Sequence, residues 1–347
     1  MLLNIIHIMD SKSNTMREIV FDKALDSVVS NDVFNYETKV SDNIFKNITN
    51  NNQNNNNNNE EYQYLHVIEN ILDNGHWSDG RNGKTKSIFG ATMRFSLANN
   101  KIPILTTKKT AWKTCLKELI WFISGKTNNH ILQKQNVHIW DGNASREFLD
   151  SRGLHHYAEG ELGPIYGHQW RHFNAPWTND IDIATNKGID QLQQIIDLLK
   201  NPITRNSRRL IMSAWNPCQL NDMALPPCHI LCQFNVHDDN KLSCALYQRS
   251  VDTPLGSPIN IASYSFLTHL IAKHCGLEAH EFIYFMGNCH IYEEHIETIQ
   301  TQLTREPFPF PTVAIKEIRE NIDDYTIDDF VVSDYQSHEA IKMKMVA

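Results

Sequence analysis

Beyond residue 60 the apolar positions fall at two recurring spacings, without any linker-like interruption. In residues 191–200, Leu192, Ile195, Ile196 and Leu199 sit at i, i+3, i+4 and i+7, with Asp and Gln opposite. That spacing predicts an amphipathic helix with one buried stripe. Residues 110–124 are apolar almost all round (Trp112, Cys115, Leu116, Leu119, Trp121, Phe122) and stop at Gly125. A helix of that kind has no face for water and belongs deep in a core, with glycine as its natural C-terminal stop. Residues 261–275, closed by Gly276, read as a second core helix. Ile230, Cys232, Phe234 and Val236 alternate, as do Leu242, Cys244 and Leu246, across a polar turn at 238–240. Period-two alternation on both sides of a turn predicts a β-hairpin. Strands and helices mix without a regular βαβ repeat, so the class is α+β, a single domain with a large mixed sheet and surrounding helices.

The first 60 residues follow neither spacing. Residues 50–59 are asparagine except for Gln53 and Glu60 lies just after them. Polar low-complexity of this kind buries too little apolar surface to offset its ordering entropy. Residues 1–60 are therefore read as a disordered Asn-rich extension, with a short helix within residues 15–29, and 61–347 as one continuous folded domain.

Composition narrows the function classes. The chain has 347 residues, 41% hydrophobic and 21% charged, with a formal net charge of −8. That charge disfavours a general DNA, RNA or anionic-membrane binder, which needs surplus Lys and Arg, yet it leaves room for a small anion held by a local Arg cluster. Seven cysteines, an odd number, do not form a disulfide framework and leave thiols free for chemistry. No apolar run reaches the ~20 residues of a membrane span. The N-terminal MLLNIIHIMD lacks a basic flank and ends its short apolar run at Asp10, so a cleaved signal peptide is not expected and the predicted compartment is cytoplasmic. There is no Gly-rich phosphate loop and no dinucleotide fingerprint, hence no expectation of nicotinamide.

Candidate chemistry starts at Cys228, within Leu225-Pro226-Pro227-Cys228-His229. Two prolines fix φ and hold the thiol at a rigid, non-helical corner, which suits a nucleophile. A lone cysteine is more often a buried structural thiol, and His229 points away as a neighbour in the chain. Cys218, Cys228, His229 and Cys232 are close in sequence but match no paired zinc spacing, so no metal is expected there. Arg81, Arg208, Arg209 and Arg249 lie in apolar or turn-like surroundings. Guanidinium forks suit a phosphate dianion, and their field lowers a thiol pKa; isolated surface charges are the commoner fate of single arginines. Arg208 and Arg209 face opposite ways on a regular strand, so sharing one phosphate requires an irregular segment. Glu118 sits in the nearly all-apolar helix, where desolvation raises a carboxyl toward a proton-relay range; a structural ion pair fits the pattern as well. His290 and Tyr292 share one face of a strand-like segment, within reach of a sugar hydroxyl or simply packed.

In order and together, these segments resemble the thymidylate synthase family, over nearly all of residues 61–347. The most specific stretches are LPPCH (225–229), QRSVDTPLGSPINIASY (248–264) and GNCHIYEEH (287–295), supported by RNGKTKSIFG (81–90), ELIWF (118–122), GPIYGHQWR (163–171) and IKMKMVA (341–347). The stretch from Trp140 looks like the eukaryote-type version. The resemblance implies dUMP and 5,10-methylenetetrahydrofolate as substrates and a sheet-to-sheet homodimer. Cys228 would attack C6 of the uracil. Arg81, Arg249 and Ser250 would hold the 5′-phosphate of dUMP, with Arg208 and Arg209 reaching in from the other subunit, and Gln248 would also contact dUMP. Asn260 would bind the pyrimidine edge, and His290 and Tyr292 the 3′-hydroxyl. Glu118, Tyr166 and His229 would belong to the proton-relay network. Lys108, Ile139, Trp140, Asp252, Leu255, Gly256, Ile259 and the C-terminal Ala347 would meet the folate, with Asp252 also counted among the catalytic groups. No fused dihydrofolate reductase domain, known in some relatives, is expected beside a match this long.

Three departures stand out. Asn288 replaces the family's usual Asp, Ile259 its usual Phe, and the Asn-rich arm has no counterpart in the family core. A deoxypyrimidylate hydroxymethylase on the same fold is the nearest enzymatic alternative; a dCMP-specific one would be expected to carry Asp at Asn260. A non-catalytic RNA-binding dimer, or binding of the chain's own messenger RNA, finds no support in an acidic chain with an intact site set.

Overall fold

The computed structural model describes residues 59–80, 83–178, 188–237 and 240–344, together with the backbone of two short strands in the N-terminal arm. The chain divides into two compact units, residues 1–58 and 59–347. In the first, β1 (Ile6–Met9) pairs antiparallel with β2 (Met16–Ile19). The short helix expected within residues 15–29 is therefore corrected at its start, where the backbone bonds go to a partner strand instead of along a helix. The remainder of that expectation, and most of the predicted disorder, lies outside the described residues.

The second unit is built on a six-stranded sheet in the order β3-β4-β8-β7-β6-β5. Its strands are β3 (His76–Gly80), β4 (Gly83–Ser96), β5 (Ile211–Ser213), β6 (His229–His237), β7 (Lys241–Asp252) and β8 (Glu278–Tyr292). β7 and β8 run parallel and every other neighbouring pair antiparallel, so the sheet is mixed, as the interspersed pattern predicted. A separate pair, β9 (Thr312–Ile315) and β10 (Phe330–Ser333), closes the C-terminal part.

Among the described residues, six helices of at least seven residues surround it: α1 (Tyr62–Asn74), α2 (Trp112–Ile123), α3 (Tyr166–His172), α4 (Gln191–Lys200), α5 (Gly256–His274) and α6 (Ile296–Leu303). In α4 the predicted stripe of Leu192, Ile195, Ile196 and Leu199 is buried, and the Asp190 side chain caps the start by accepting from Gln193 N at 2.9 Å. The all-apolar α2 buries Cys115, Leu116, Leu119, Trp121, Phe122 and Ile123, and Gly125 follows it at φ +72°. The crossover from β7 to β8 is α5, buried along nearly its whole length between α2 and the sheet. It begins at Gly256, ahead of the predicted 261, which places Asn260 in its first turns.

The two faces of the sheet differ. Cys232, Phe234, Leu242, Cys244, Leu246, Phe282 and Tyr284 point into the core. On the other face Leu231 pairs across to Tyr247, and Tyr247 to Phe285, and all three are exposed. Phe89 on β4 is 83% exposed.

Candidate active site

The site forms where the start of β6, the end of β7 and the first turns of α5 meet α2 and α3. Cys228 stands just before β6, half-buried. Its backbone N–H donates to Tyr166 Oη at 2.8 Å. Arg249, on β7, braces the two-proline corner: Nε donates to Pro227 O at 2.8 Å and Nη2 to Pro226 O at 3.0 Å. The same Nη2 lies 3.9 Å from Cys228 Sγ, and the guanidinium sits over the Trp215 ring at 5.6 Å. β8 approaches β7 here without a side chain, since a Cβ on Gly287 would lie 2.6 Å from Arg249 O. Burial pushes the thiol pKa up and Arg249 pulls it down; burial is the larger effect. The expectation of a thiol lowered by arginines is thus corrected: the positive field tempers a desolvated thiol and does not overcome the desolvation.

Behind the thiol lies a buried aromatic frame. As adjacency in a strand requires, His229 faces away from Cys228 and into the core. Its ring stacks on Tyr166 at 3.9 Å between centroids and 12° between planes. His229 Nδ1 is 2.7 Å from Tyr264 Oη. Burial holds the Tyr264 hydroxyl well above its ordinary range and lowers His229 to about 3. The pair shares one hydrogen, donated by the phenol or by Nδ1 according to the imidazole tautomer.

Glu118 projects from α2 and its Oε1 accepts from Trp140 Nε1 at 2.7 Å. Burial raises its carboxyl from 4.5 to about 7, opposed by the Trp140 bond. Glu118, Cys228 and Arg249 all act electrostatically on the buried Tyr166 hydroxyl, which burial holds far above its usual pKa. The relay residues predicted from separate segments therefore converge on one place.

Other predicted residues line the neighbourhood. Asn260 is half-buried, and its side-chain amide makes no hydrogen bond to any described residue. Gly256 lies beside it, a Cβ there falling 3.7 Å from Asn260 Oδ1. Gln248 is buried with its amide engaged, donating to Ser250 O at 3.0 Å and accepting from Tyr284 Oη at 2.6 Å. Ser250 is half-buried opposite Asn288 on β8. His290 and Tyr292 do share a face, their rings 5.4 Å apart. Asn288 Oδ1 lies 3.0 Å from His290 Nδ1, and burial lowers His290 to about 4. An amide oxygen only accepts, so His290 donates from Nδ1 and presents Nε2 as an acceptor.

At the start of α5, Asp252 Oδ1 accepts from Leu255 N at 3.2 Å, and burial raises its carboxyl. Lys108, predicted to meet a glutamate tail, is 6% exposed and donates to Pro254 O. Burial lowers it to about 8 while Asp252 acts in the opposite direction. Ile139 and Ile259 are half-buried and pack on the core. Arg208 and Arg209 lie exposed in the turn before β5, the irregular segment that their adjacency demanded. Arg81 and Ala347 fall outside the described residues; the chain reaching toward Ala347 is tied down where His295 Nε2 meets Lys344 O at 2.8 Å. The cysteines weighed as zinc ligands do not gather: Cys218 is exposed, while Cys232 is buried beside Cys244.

Sequence reasoning missed Tyr264, Trp215 and Tyr284. Tyr264 was legible only as the last letter of a motif, and nothing local distinguished Trp215 from a core aromatic. The partnership of Asn288 with His290 is an i, i+2 relation on one strand face, which the alternation itself would have signalled.

The sequence model of the family described as thymidylate synthase matches residues 62–347. A bifunctional dihydrofolate reductase-thymidylate synthase of Plasmodium berghei is 51% identical over 288 residues, covering 83% of this chain and 48% of that protein. A probable thymidylate synthase of Schizosaccharomyces pombe is 52% identical over 298 residues, covering 82% and 47%. The bifunctional protein of Leishmania major is 50% identical over 289 residues, covering 82% and 55%. The chain thus spans about half the length of the curated relatives it matches.

Proposed function

The chain belongs to the thymidylate synthase family, and we propose that it methylates dUMP to dTMP. The folate co-substrate, 5,10-methylenetetrahydrofolate, supplies the one-carbon unit and the hydride and leaves as dihydrofolate. The observation that carries this reading is the Cys228 thiol, held on a two-proline corner, 3.9 Å from Arg249 Nη2 and backed by Tyr166. Addition of that sulfur to C6 makes C5 electron-rich, and a positioned donor at the pyrimidine O4 stabilises the charge that develops. Asn260 has an uncommitted amide for this purpose, with donor and acceptor arranged for the uracil edge. Glu118, with a carboxyl near 7, holds or releases a proton at working pH. His290 Nε2, as an acceptor, suits a ribose hydroxyl donor.

A homodimer belongs to the same proposal. The exposed row of Leu231, Tyr247 and Phe285 offers a self-complementary apolar face, and Arg208 and Arg209 stand free to reach a partner's phosphate. Replacing Phe285 by Asp, sized by light scattering, should give a monomer without turnover; a fully active monomer would overturn the shared site.

Purified protein is offered methylenetetrahydrofolate with dUMP or dCMP separately. Dihydrofolate appearing with dUMP alone is the expected result. Tetrahydrofolate released without dihydrofolate would mean hydroxymethylation, and turnover with neither would sink the enzymatic reading.

A further inference from the structure

His237, His280 and Glu281 lie at the end of the sheet away from the thiol. His237 closes β6, the strand that His229 opens, so at ~3.3 Å per residue the two histidines are separated by about 26 Å. His280 and Glu281 are consecutive near the start of β8. Consecutive strand residues ordinarily point to opposite faces. Here the register breaks: Leu242 pairs with Ala279 and Ser243 with Glu281, leaving His280 as an extra residue. A bulge of this kind re-aims a side chain, and it brings His280 to the same place as Glu281. β7 separates the two histidine strands: Lys241 pairs with His237 in the register, and His237 Nε2 lies 3.4 Å from Asn235 Nδ2 on its own strand and 2.9 Å from the Oγ of Ser243. The imidazoles meet above it with centroids 5.3 Å apart.

We propose that His237, His280 and Glu281 form a binding site for a divalent transition metal of the zinc class. One donor atom from each lies within 4.8 Å of the other two. His280 Nε2 and Glu281 Oε1 are 3.8 Å apart, beyond hydrogen-bond reach. Donors bound to zinc at about 2.0–2.2 Å in a tetrahedron sit roughly 3.4 Å from each other. Small side-chain rotations therefore close the set around an ion, without backbone movement. Two imidazoles and a carboxylate are the ligands that zinc accepts, with a fourth position left for water at the exposed His237. Arg94 donates to Glu281 Oε2 and so leaves Oε1 turned toward the histidines; such an outer partner orients a ligating carboxylate. Bound metal would clip β6 to β8 across β7, a structural role remote from the chemistry. The site does not rest on the proposed reaction.

The test uses the full-length protein carrying Cys218→Ser, so that the exposed thiol contributes nothing. Stripped with a chelator and exchanged into metal-free buffer, it is titrated with zinc chloride by calorimetry. The expected result is one zinc per chain with a Kd on the order of micromolar, and a zinc-dependent rise in Tm. His237→Ala and His280→Ala should each weaken binding at least ~10-fold and abolish the Tm response, with basal turnover unchanged. Cobalt substituted for zinc should give a visible spectrum with nitrogen ligation in the parent, lost in both variants. No heat and no Tm response in the parent, or unchanged binding in both variants, would overturn the proposal. Should either alanine variant misfold by circular dichroism, Glu281→Gln replaces it under the same criteria.

Discussion

Replacing Trp140 by Phe tests one hydrogen bond of the proposed proton-relay network. Trp140 Nε1 donates to Glu118 Oε1 at 2.7 Å, and this bond is what opposes burial in setting the carboxyl near 7. Phenylalanine keeps an aromatic ring against Phe122 and Tyr166, which Trp140 now meets edge-on at 6.5 and 6.2 Å between centroids. The donor is removed together with part of the ring, which also packs on Trp121. A hydrogen bond to a charged acceptor contributes about 1.5–3 kcal/mol, and ~1.36 kcal/mol corresponds to one pKa unit, so the carboxyl rises by about 1–2 units. At pH 7 the parent is about half ionised and the variant about one-tenth to one-hundredth. If the ionised carboxylate accepts the proton, turnover at pH 7 falls roughly 5- to 50-fold and recovers at alkaline pH. The assay is kcat against pH, from about 5.5 to 9.5, with both substrates saturating so that weakened folate binding does not enter. An acid limb displaced upward by 1–2 units is the expected result. A loss equal at every pH, or a limb that stays in place, would refute the role given to Glu118.

Glu118→Gln should remove a stability penalty together with turnover. The folded carboxyl is raised above its free value of 4.5 to about 7, so the favourable contribution of the protonated form is complete below pH 4.5 and lost as pH rises through 7. That loss amounts to about 3 kcal/mol, and urea midpoints of the Gln variant should lack this part of the pH slope. A slope identical in both proteins would contradict the burial argument. Cys228→Ala should abolish turnover while dUMP binding stays measurable by calorimetry; full activity in that variant would sink the nucleophile assignment. Asn288→Asp should raise His290 from about 4 by ~1–3 units, because a carboxylate 3.0 Å from Nδ1 favours the imidazolium. NMR titration of that histidine reads the shift, and an unmoved value would mean that the two side chains are not coupled.

Much of the fold was legible because local pattern and global burial agree. The stripe of α4 and the all-apolar α2 are buried as their periodicity required, and Cys232 and Phe234 in β6 and Leu242, Cys244 and Leu246 in β7 are buried as their alternation predicted. The start of α5 was not legible, since Gly256, Ser257 and Pro258 look like a turn and only tertiary packing makes them helical. The early N-terminal strand pair was missed for a related reason: β1 and β2 are too short for alternation to compete with a helical reading. Within the site, sequence reasoning found residue types but not partners. It placed Glu118 in an apolar helix and expected a raised carboxyl, while Trp140, the residue that tempers that rise, lies 22 positions away.

Cys228 shows most clearly why the pairings escaped a linear reading. Arginines near a thiol suggest a lowered pKa, yet Arg249 spends its donors on Pro226 and Pro227 and reaches the sulfur only at 3.9 Å. Its main effect is to hold the corner that aims the thiol, and burial sets the direction of the pKa. The same economy of parts recurs behind it. Tyr166 accepts from the Cys228 backbone and stacks on His229, while Tyr264 shares a hydrogen bond with His229. The Cys228 backbone N–H and two of the Arg249 donors are thus committed to other protein groups. The Asn260 amide has no partner among the described residues. A buried frame that is fully satisfied stays rigid, and a half-buried amide left unsatisfied within it is where a ligand gains most by binding. On the proposed reaction the pyrimidine edge is read at Asn260, whose amide keeps its donor and acceptor open to a ligand.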